Sequence, residues 1–289
     1  MTEIGFIGAG RLGTAFGLYL ARREEHVSGY YSRTYRHAQI AAESVDRGCR
    51  PFRILDELLK SSDWIAITTS DGAIGEVSAA IANSSIPIEE KVIFHMSGAR
   101  ASDILAPLAE KGALVASLHP LQTFAGGTSG CRAMERAMFS IEGDARAVKQ
   151  LGDWLDRIGQ AHFTLAACQK PLYHAAASIA SNALTGVIGY AVELMKTTGI
   201  EERKALSALF PLIETTVQNV IEKGAAQALT GPVVRGDTGT VETHLKALME
   251  TAPNLVPFYK TLGKITLATA AREQLKDERA IERLNDLFE

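Results

Sequence analysis

The chain has 289 residues, 46% of them hydrophobic, and a formal net charge of −3. That length suits about two domains with full cores, and the near-neutral charge argues against nucleic acid or an anionic membrane as partner. Cys49, Cys131 and Cys168 are widely spaced and odd in number, so they make neither a disulfide framework nor a zinc spacing; reduced thiols, no metal and a cytoplasmic location are expected.

Met1 leads directly into an apolar run, with no room for a secretory signal. The run ends at Gly8. Then come Gly8-Ala9-Gly10-Arg11-Leu12-Gly13, after which Leu12, Phe16 and Leu20 recur at helical spacing. Strand, Gly-x-Gly-x-x-Gly and helix in that order read as a dinucleotide-binding turn. Gly8 permits the tight turn, Gly10 lets the backbone approach a pyrophosphate, and Gly13 lets the helix pack on its strand. The helix N-terminus, with Arg11 and Leu12 in its first turn, faces the phosphates. An accidental glycine turn is the alternative.

His26 to Tyr31 is the second strand. An acidic residue at its end would hold the ribose 2′-hydroxyl of NAD. Ser32-Arg33-Thr34 stands there instead. An arginine with two hydroxyls binds a 2′-phosphate that a carboxylate would repel. NADP is therefore the expected cofactor, unless Arg33 is only a solvated turn residue.

Tyr35 to Asp46 reads as a helix and Arg50 to Ile54 as a short strand; Asp56 is a candidate cap for a helix from Glu57 to Lys60. Asp63 to Thr68 is a buried strand ending in Thr69-Ser70-Asp71-Gly72, and Ala73 to Asn83 a helix. Lys91 to Phe94 is a strand ending in His95-Met96-Ser97-Gly98. Ser102 to Lys111 is a helix despite Pro107. Ala113 to Leu118 is a strand ending in His119-Pro120, and Met138 to Glu142 and Ala161 to Leu165 are two more, with a helix from Ala145 to Ile158 between them. This alternation specifies an α/β, doubly wound Rossmann domain with helices on both faces. The glycine turn, Ser32-Arg33, Thr69-Ser70-Asp71, His95 with Ser97, and His119 all lie at carboxyl ends of strands, the edge where open α/β sheets bind ligands. Polar loops carry such residues by default, but five clusters on one edge favour a cleft.

No strand is evident after Ala166, so the chain divides into a Rossmann domain at 1–165 and an all-α domain at 166–289. Pro171 opens a helix that runs to about Thr197. Its stretch from Pro171 to Val192 lacks charge and is long enough for a bilayer. Small, mixed residues there suit a helix enclosed by protein instead. His174, Ser178, Asn182 and Thr185 recur at i, i+4, i+8 and i+11, one polar line that either meets a substrate or bonds to its own helix. Glu201 to Glu222 makes one or two helices, divided or kinked at Pro211. In the turn from Thr230 to Thr240, Arg235 either clamps a substrate carboxylate or pairs with Asp237, and Asp or Thr caps the next helix. Val241 to Thr251 and Pro257 to Leu287 are helical.

The first half resembles the Rossmann domain of pyrroline-5-carboxylate reductases in Ile4-Gly-Phe-Ile-Gly-Ala-Gly10 and in the Ser32-Arg33-Thr34 turn. The second half resembles their dimerising helical domain, with Thr230-Gly-Pro to Thr240 similar to their substrate-binding glycine-threonine loop. The chain also resembles a poorly characterised family of the same layout, in which His95-Met-Ser-Gly-Ala, His119-Pro-Leu-Gln-Thr-Phe and Leu229-Thr-Gly-Pro-Val-Val-Arg-Gly-Asp237 recur. Prephenate dehydrogenases carry a similar His-Pro whose His contacts the substrate oxygen, assisted by a Ser, and His119 and Ser97 look like those positions. β-Hydroxyacid dehydrogenases and ketopantoate reductases use a Lys and an Asn one turn apart on the long helix. Asn182 looks like that Asn, but Ser178 stands where the Lys would be.

These resemblances imply an NADP-dependent oxidoreductase acting on a small imine or carbonyl, and a homodimer through the helical domain. His119 is the expected acid, with Ser97 and Asn182 orienting the reacting group and His174, Ser178, Arg235 and Thr240 toward the substrate. The absent lysine favours a rival reading, a non-catalytic NADP-binding sensor. A deazaflavin cofactor in the same cleft is a third.

Overall fold

Neighbouring residues of the first strand enter different cores. In β1 (Glu3–Ile7), Phe6 belongs to an apolar cluster with Phe16, Tyr30, Phe94 and Trp154, and Ile7 to a second one with Ile65, Ile67, Ile93 and Leu58. This period of two is what the pleat dictates for a sheet covered on both faces.

The computed structural model describes residues 2–45, 48–124 and 127–289, in two compact units, Met1–Ser181 and Asn182–Glu289. In the first unit β1 is followed by α1 (Arg11–Arg22), β2 (His26–Tyr31), α2 (Tyr35–Val45), β3 (Arg50–Phe52), α3 (Leu55–Lys60), β4 (Trp64–Ile67), α4 (Ile74–Ala82) and β5 (Val92–His95). Then come α5 (Ala106–Ala109), β6 (Leu114–Leu121), α6 (Gly127–Glu135), β7 (Met138–Gly143), α7 (Ala145–Arg157), β8 (His162–Thr164) and α8 (Lys170–Ser178). The sheet order is β3-β2-β1-β4-β5-β6-β7-β8, parallel throughout except for the antiparallel β6–β7 pair. The direction of winding reverses between β1 and β4, which opens a crevice at their carboxyl ends.

Several details differ from the sequence reading. The helix at Tyr35 is described to Val45, and Asp46 lies outside the described residues. Asp56 does not cap α3; its carboxylate accepts a hydrogen bond from the Ser84 hydroxyl at 2.6 Å. Pro107 falls in the first turn of α5, where its missing N–H costs nothing. β6 continues past Leu118 to Leu121, because His119 to Leu121 pair with Met138 to Ser140 of β7. Helix α6 has no counterpart in the sequence reading. Gly130 lets α6 approach α1, since a Cβ there would lie 2.9 Å from the Ala15 Cβ.

The units divide between 181 and 182, rather than at 165/166 where the strands end, because the start of the long helix is bonded to the sheet. That helix is not uniform. After α8 comes a π turn, Ile179–Ala183, and then α9 (Leu184–Thr197). A turn with i→i+5 bonds holds an extra residue and rotates every later side chain about the axis. The line from His174 to Thr185 therefore does not persist as read on a regular α-helix.

The second unit continues from α9 with α10 (Glu202–Lys223), α11 (Ala225–Ala228), α12 (Thr238–Thr251), α13 (Val256–Glu273) and α14 (Glu278–Phe288). Pro211 sits within α10 and does not divide it. The expected last helix is two, because Asp277 caps α14 by accepting from Arg279 N and Ala280 N. Val241, Leu245, Leu267, Leu284 and Phe288 form this unit's core. The segment Ala167–Thr197 is long and apolar enough to cross a membrane, and only 6% of its most apolar window is buried. The enclosure expected for it is not supplied within one chain.

Candidate functional site

The turn after β1 is built by close approach. Gly8 has φ +110°, and a Cβ on it would lie 2.8 Å from the Thr68 carbonyl carbon. A Cβ on Gly13 would lie 2.7 Å from the Gly8 oxygen. Thr68 Oγ1 closes the arrangement by donating to the Gly8 oxygen at 2.7 Å. Gly10 differs from both: nothing lies within 4 Å of where its Cβ would be. It is the N-cap of α1, with no side-chain cap and no acidic residue in the first turn. The first N–H groups of α1 are thus left for a ligand.

A cleft of about 600 Å³ opens beside this turn. Gly8, Gly10, Ser32, Arg33, Thr34, Thr69 and Ser70 line it, together with His37, Leu55 and Val77. Thr69 Oγ1 is buried with no hydrogen-bond partner among the described residues. Free backbone donors, an exposed arginine between two hydroxyls and an orphaned hydroxyl suit the phosphates of an NADP molecule. Arg11 is exposed at the start of α1, Leu12 packs on the core, and Gly13 lies behind the turn. Asp71 opens the short 3-10 turn before α4 and is exposed. A hollow of about 650 Å³ at the opposite strand ends is lined by three glutamates, Glu3, Glu24 and Glu25, beside Arg50.

Two strands along, β5 and β6 bring a second group together. His95 is fully buried, with Nε2 3.1 Å from the Ala101 oxygen and Nδ1 accepting from Ser97 N at 3.2 Å. Burial lowers its pKa to about 4. Both ring nitrogens are occupied, so His95 holds its loop together. Ser97 Oγ accepts from Ala99 N and Arg100 N, which fixes the turn beneath His119.

His119 is half-buried, with Nδ1 2.7 Å from the Tyr173 hydroxyl. A Cβ on Gly98 would lie 2.8 Å from its Nε2 and 2.7 Å from Nδ1 of His174, so both imidazoles close over that glycine. Burial, then the positive charge of Lys170 and the neighbouring His174, lower the His119 pKa to about 4. Burial raises that of Tyr173.

Lys170 and Tyr173 are the residues that sequence reasoning missed. Lys170 is fully buried; its Nζ donates to the Ser97 oxygen at 3.0 Å and to Ser117 Oγ. Burial lowers its pKa to about 8. A lysine is thus present, at the first position of α8 rather than at 178. The available signal was a lone lysine directly before the proline that opens an uncharged helix. Glu142, also buried, accepts from Ser102 N and Oγ.

Of the substrate candidates, His174 and Ser178 lie on α8 in this unit, His174 exposed and Ser178 half-buried. Asn182, Arg235 and Thr240 belong to the second unit. Asn182 is exposed within the π turn, and Arg235 is exposed. Thr240 donates its hydroxyl to Asp237 Oδ2 at 2.6 Å, and Asp237 caps α12.

Residues 1–120 match the family model of a Rossmann-like domain, and residues 137–266 match that of a Domain of unknown function, DUF2520. The chain pairs a Rossmann-like domain with a DUF2520 domain. The DUF2520 match takes in β7, β8, Lys170, Tyr173 and the π turn. No curated protein matches this sequence. The fold is similar to that of a Bacteroides fragilis protein described as a candidate NADP oxidoreductase, with TM-score 0.73, 23% identity, and coverage of 92% of this chain and 98% of that one. It is also similar to a reductive aminase from Aspergillus terreus in complex with NADPH (TM-score 0.63, 16% identity, 100% and 92% covered). A pyrroline-5-carboxylate reductase from Coxiella burnetii gives TM-score 0.60 at 13% identity, with 99% and 98% covered.

Proposed function

We propose that this protein is an NADP-dependent oxidoreductase that moves a hydride between NADPH and the carbon of a small imine or carbonyl compound. The observation that carries this reading is a shared sheet edge. The phosphate-binding turn and the Arg33 cleft stand at one part of it, and His119, with Nδ1 engaged by Tyr173, stands at another. The similar folds named as reductive aminase and pyrroline-5-carboxylate reductase support an imine as acceptor.

Bound NADPH supplies the hydride, leaving NADP⁺, while the substrate heteroatom takes one proton that comes ultimately from water. Gly8, Gly10 and the start of α1 hold the pyrophosphate, and Ser32, Arg33 and Thr34 hold the 2′-phosphate. His119 meets the heteroatom through Nε2 and passes the proton to it. His174 and Ser178, both on α8, orient the substrate, and Ser97 holds the loop under the ring. The alternative, a non-catalytic NADP-binding sensor, predicts tight cofactor binding with no hydride transfer.

A homodimer completes the proposal. Leu184, Tyr190, Phe210, Leu212 and Ile221 are all exposed on α9 and α10, large apolar side chains of the kind an interface covers. A second copy would cover them.

The test is fluorescence titration with NADPH and NADH, for the natural protein and for Arg33→Asp. A preference for NADPH that collapses in the variant supports the site and leads to turnover assays on imines and 2-oxo acids. Binding of neither nucleotide overturns the proposal.

A further inference from the structure

The first turn of α8 lies along β6 in matched pairs. Ser117 and His119 are two apart on the strand and project to the same side. Lys170 and Tyr173 are three apart on the helix and share a face. Lys170 Nζ bonds to Ser117 Oγ, and the Tyr173 hydroxyl meets His119 Nδ1 at 2.7 Å. The hydrogen-bond partners of the buried ammonium, Ser117 Oγ and the Ser97 carbonyl, are uncharged oxygens; the Glu142 and Asp71 carboxylates offset part of its charge, and the rest acts on the neighbouring ring.

We propose that Lys170 and Tyr173 are positioning residues that hold His119 as a neutral imidazole with its proton on Nε2. The direction of the Tyr173 bond follows from counting hydrogens. The Tyr173 hydroxyl makes its hydrogen bond to Nδ1 at 2.7 Å, and Ser140 Oγ, buried close by, has no hydrogen-bond partner among the described residues. If Tyr173 donates to Nδ1, the phenol hydrogen has an acceptor. With the proton on Nδ1, the ring would donate instead and the phenol hydrogen would lose that acceptor. The charge state follows from the surroundings. His119 is faced by Lys170, Tyr173 and His174 from α8, by His95 from β5 and by Asp71 from the turn after β4. Of these Asp71 alone favours an imidazolium.

Under the proposed hydride transfer, His119 therefore meets the substrate with a ready Nε2–H donor. The tautomer itself is measurable without substrate. Protein labelled with ¹⁵N-histidine is examined by long-range ¹H–¹⁵N correlation, and His119 is identified by its loss in His119→Gln. The expected result is a neutral ring protonated at Nε2 from pH 6 to 8. In Tyr173→Phe the share of the Nδ1–H form rises. In Lys170→Met the His119 titration moves up by about one pH unit. A ring protonated at Nδ1 in the natural protein, a cationic ring at pH 6, or an unmoved titration in Lys170→Met overturns the inference. If Lys170→Met does not fold, the natural protein and Tyr173→Phe still decide it. NADPH turnover in the same samples is read separately: the expected tautomer without turnover would retain this inference and lose the functional proposal.

Discussion

Gly98 lies directly beneath His119, so close that a Cβ on it would stand 2.8 Å from the imidazole Nε2. Tyr173 tethers the far side of the ring, so the ring cannot retreat freely. Gly98→Ala should displace His119 by several tenths of an ångström and lower turnover by about a hundredfold, the usual cost of misplacing a reacting group. NADPH affinity should be unchanged. Steady-state rates alongside a nucleotide titration check this; full turnover in the variant would remove His119 from the reacting centre.

The two glycines of the phosphate turn should respond differently. Gly8 has positive φ and backbone packed against it, whereas Gly10 faces open space. Gly8→Ala should destabilise the fold by roughly 1–3 kcal/mol as well as weaken nucleotide binding. Gly10→Ala should leave the melting temperature alone and still weaken NADPH binding, because its methyl group enters only the ligand's space. Calorimetry and titration of both variants give the comparison. Unchanged NADPH affinity in Gly10→Ala would place the pyrophosphate elsewhere.

Stability should depend on pH through three buried groups. His95 and His119 are lowered from 6.5 to about 4 by burial. Between those values the unfolded chain binds more protons than the folded one, so stability falls as the pH drops through that window. Lys170 is lowered from 10.5 to about 8 by burial. There too the unfolded chain binds more protons, so this group makes stability rise as pH climbs from about 8 to 10.5. Urea midpoints at pH 5, 7, 8 and 10 test both limbs. Lys170→Met should abolish the alkaline contribution of this group and lessen, without removing, the loss on acidification, because His119 then titrates closer to its unfolded value.

In the helical unit, Asp237 accepts from the Thr240 N–H at 3.0 Å and from its hydroxyl at 2.6 Å, at the start of α12. Asp237→Ala should cost about 1 kcal/mol, the usual value of an N-cap. Thermal unfolding gives the number, and a change below a few tenths would show that Asp237 contributes no capping.

Phe210 is 59% exposed on α10. If a second copy covers that surface, Phe210→Glu should convert dimer to monomer in sedimentation at micromolar concentration. A natural protein that sediments as a monomer, or that floats with lipid vesicles, would refute the dimer.

Local pattern alone determined most of the framework. The apolar run that ends at Gly8, the spacing of Gly8, Gly10 and Gly13, and the proline at 171 act within a few residues of themselves, where strand, turn geometry and helix entry are decided. The strands, the doubly wound sheet and the glycine turn were legible for that reason. Tertiary structure decided what each polar side chain meets. Lys170 reaches Ser97 and Ser117 across more than fifty residues of chain, and His119 finds Tyr173 at a similar separation. Asp56 bonded Ser84 instead of capping its helix, and Gly130 served close packing of α6 on α1. Such pairings depend on how packed layers bring distant backbone together, and no short-range period encodes them. Sequence spacing thus placed the candidate histidine at the carboxyl edge of the sheet, and only packing brought Tyr173 against it and Lys170 onto Ser117 two residues away.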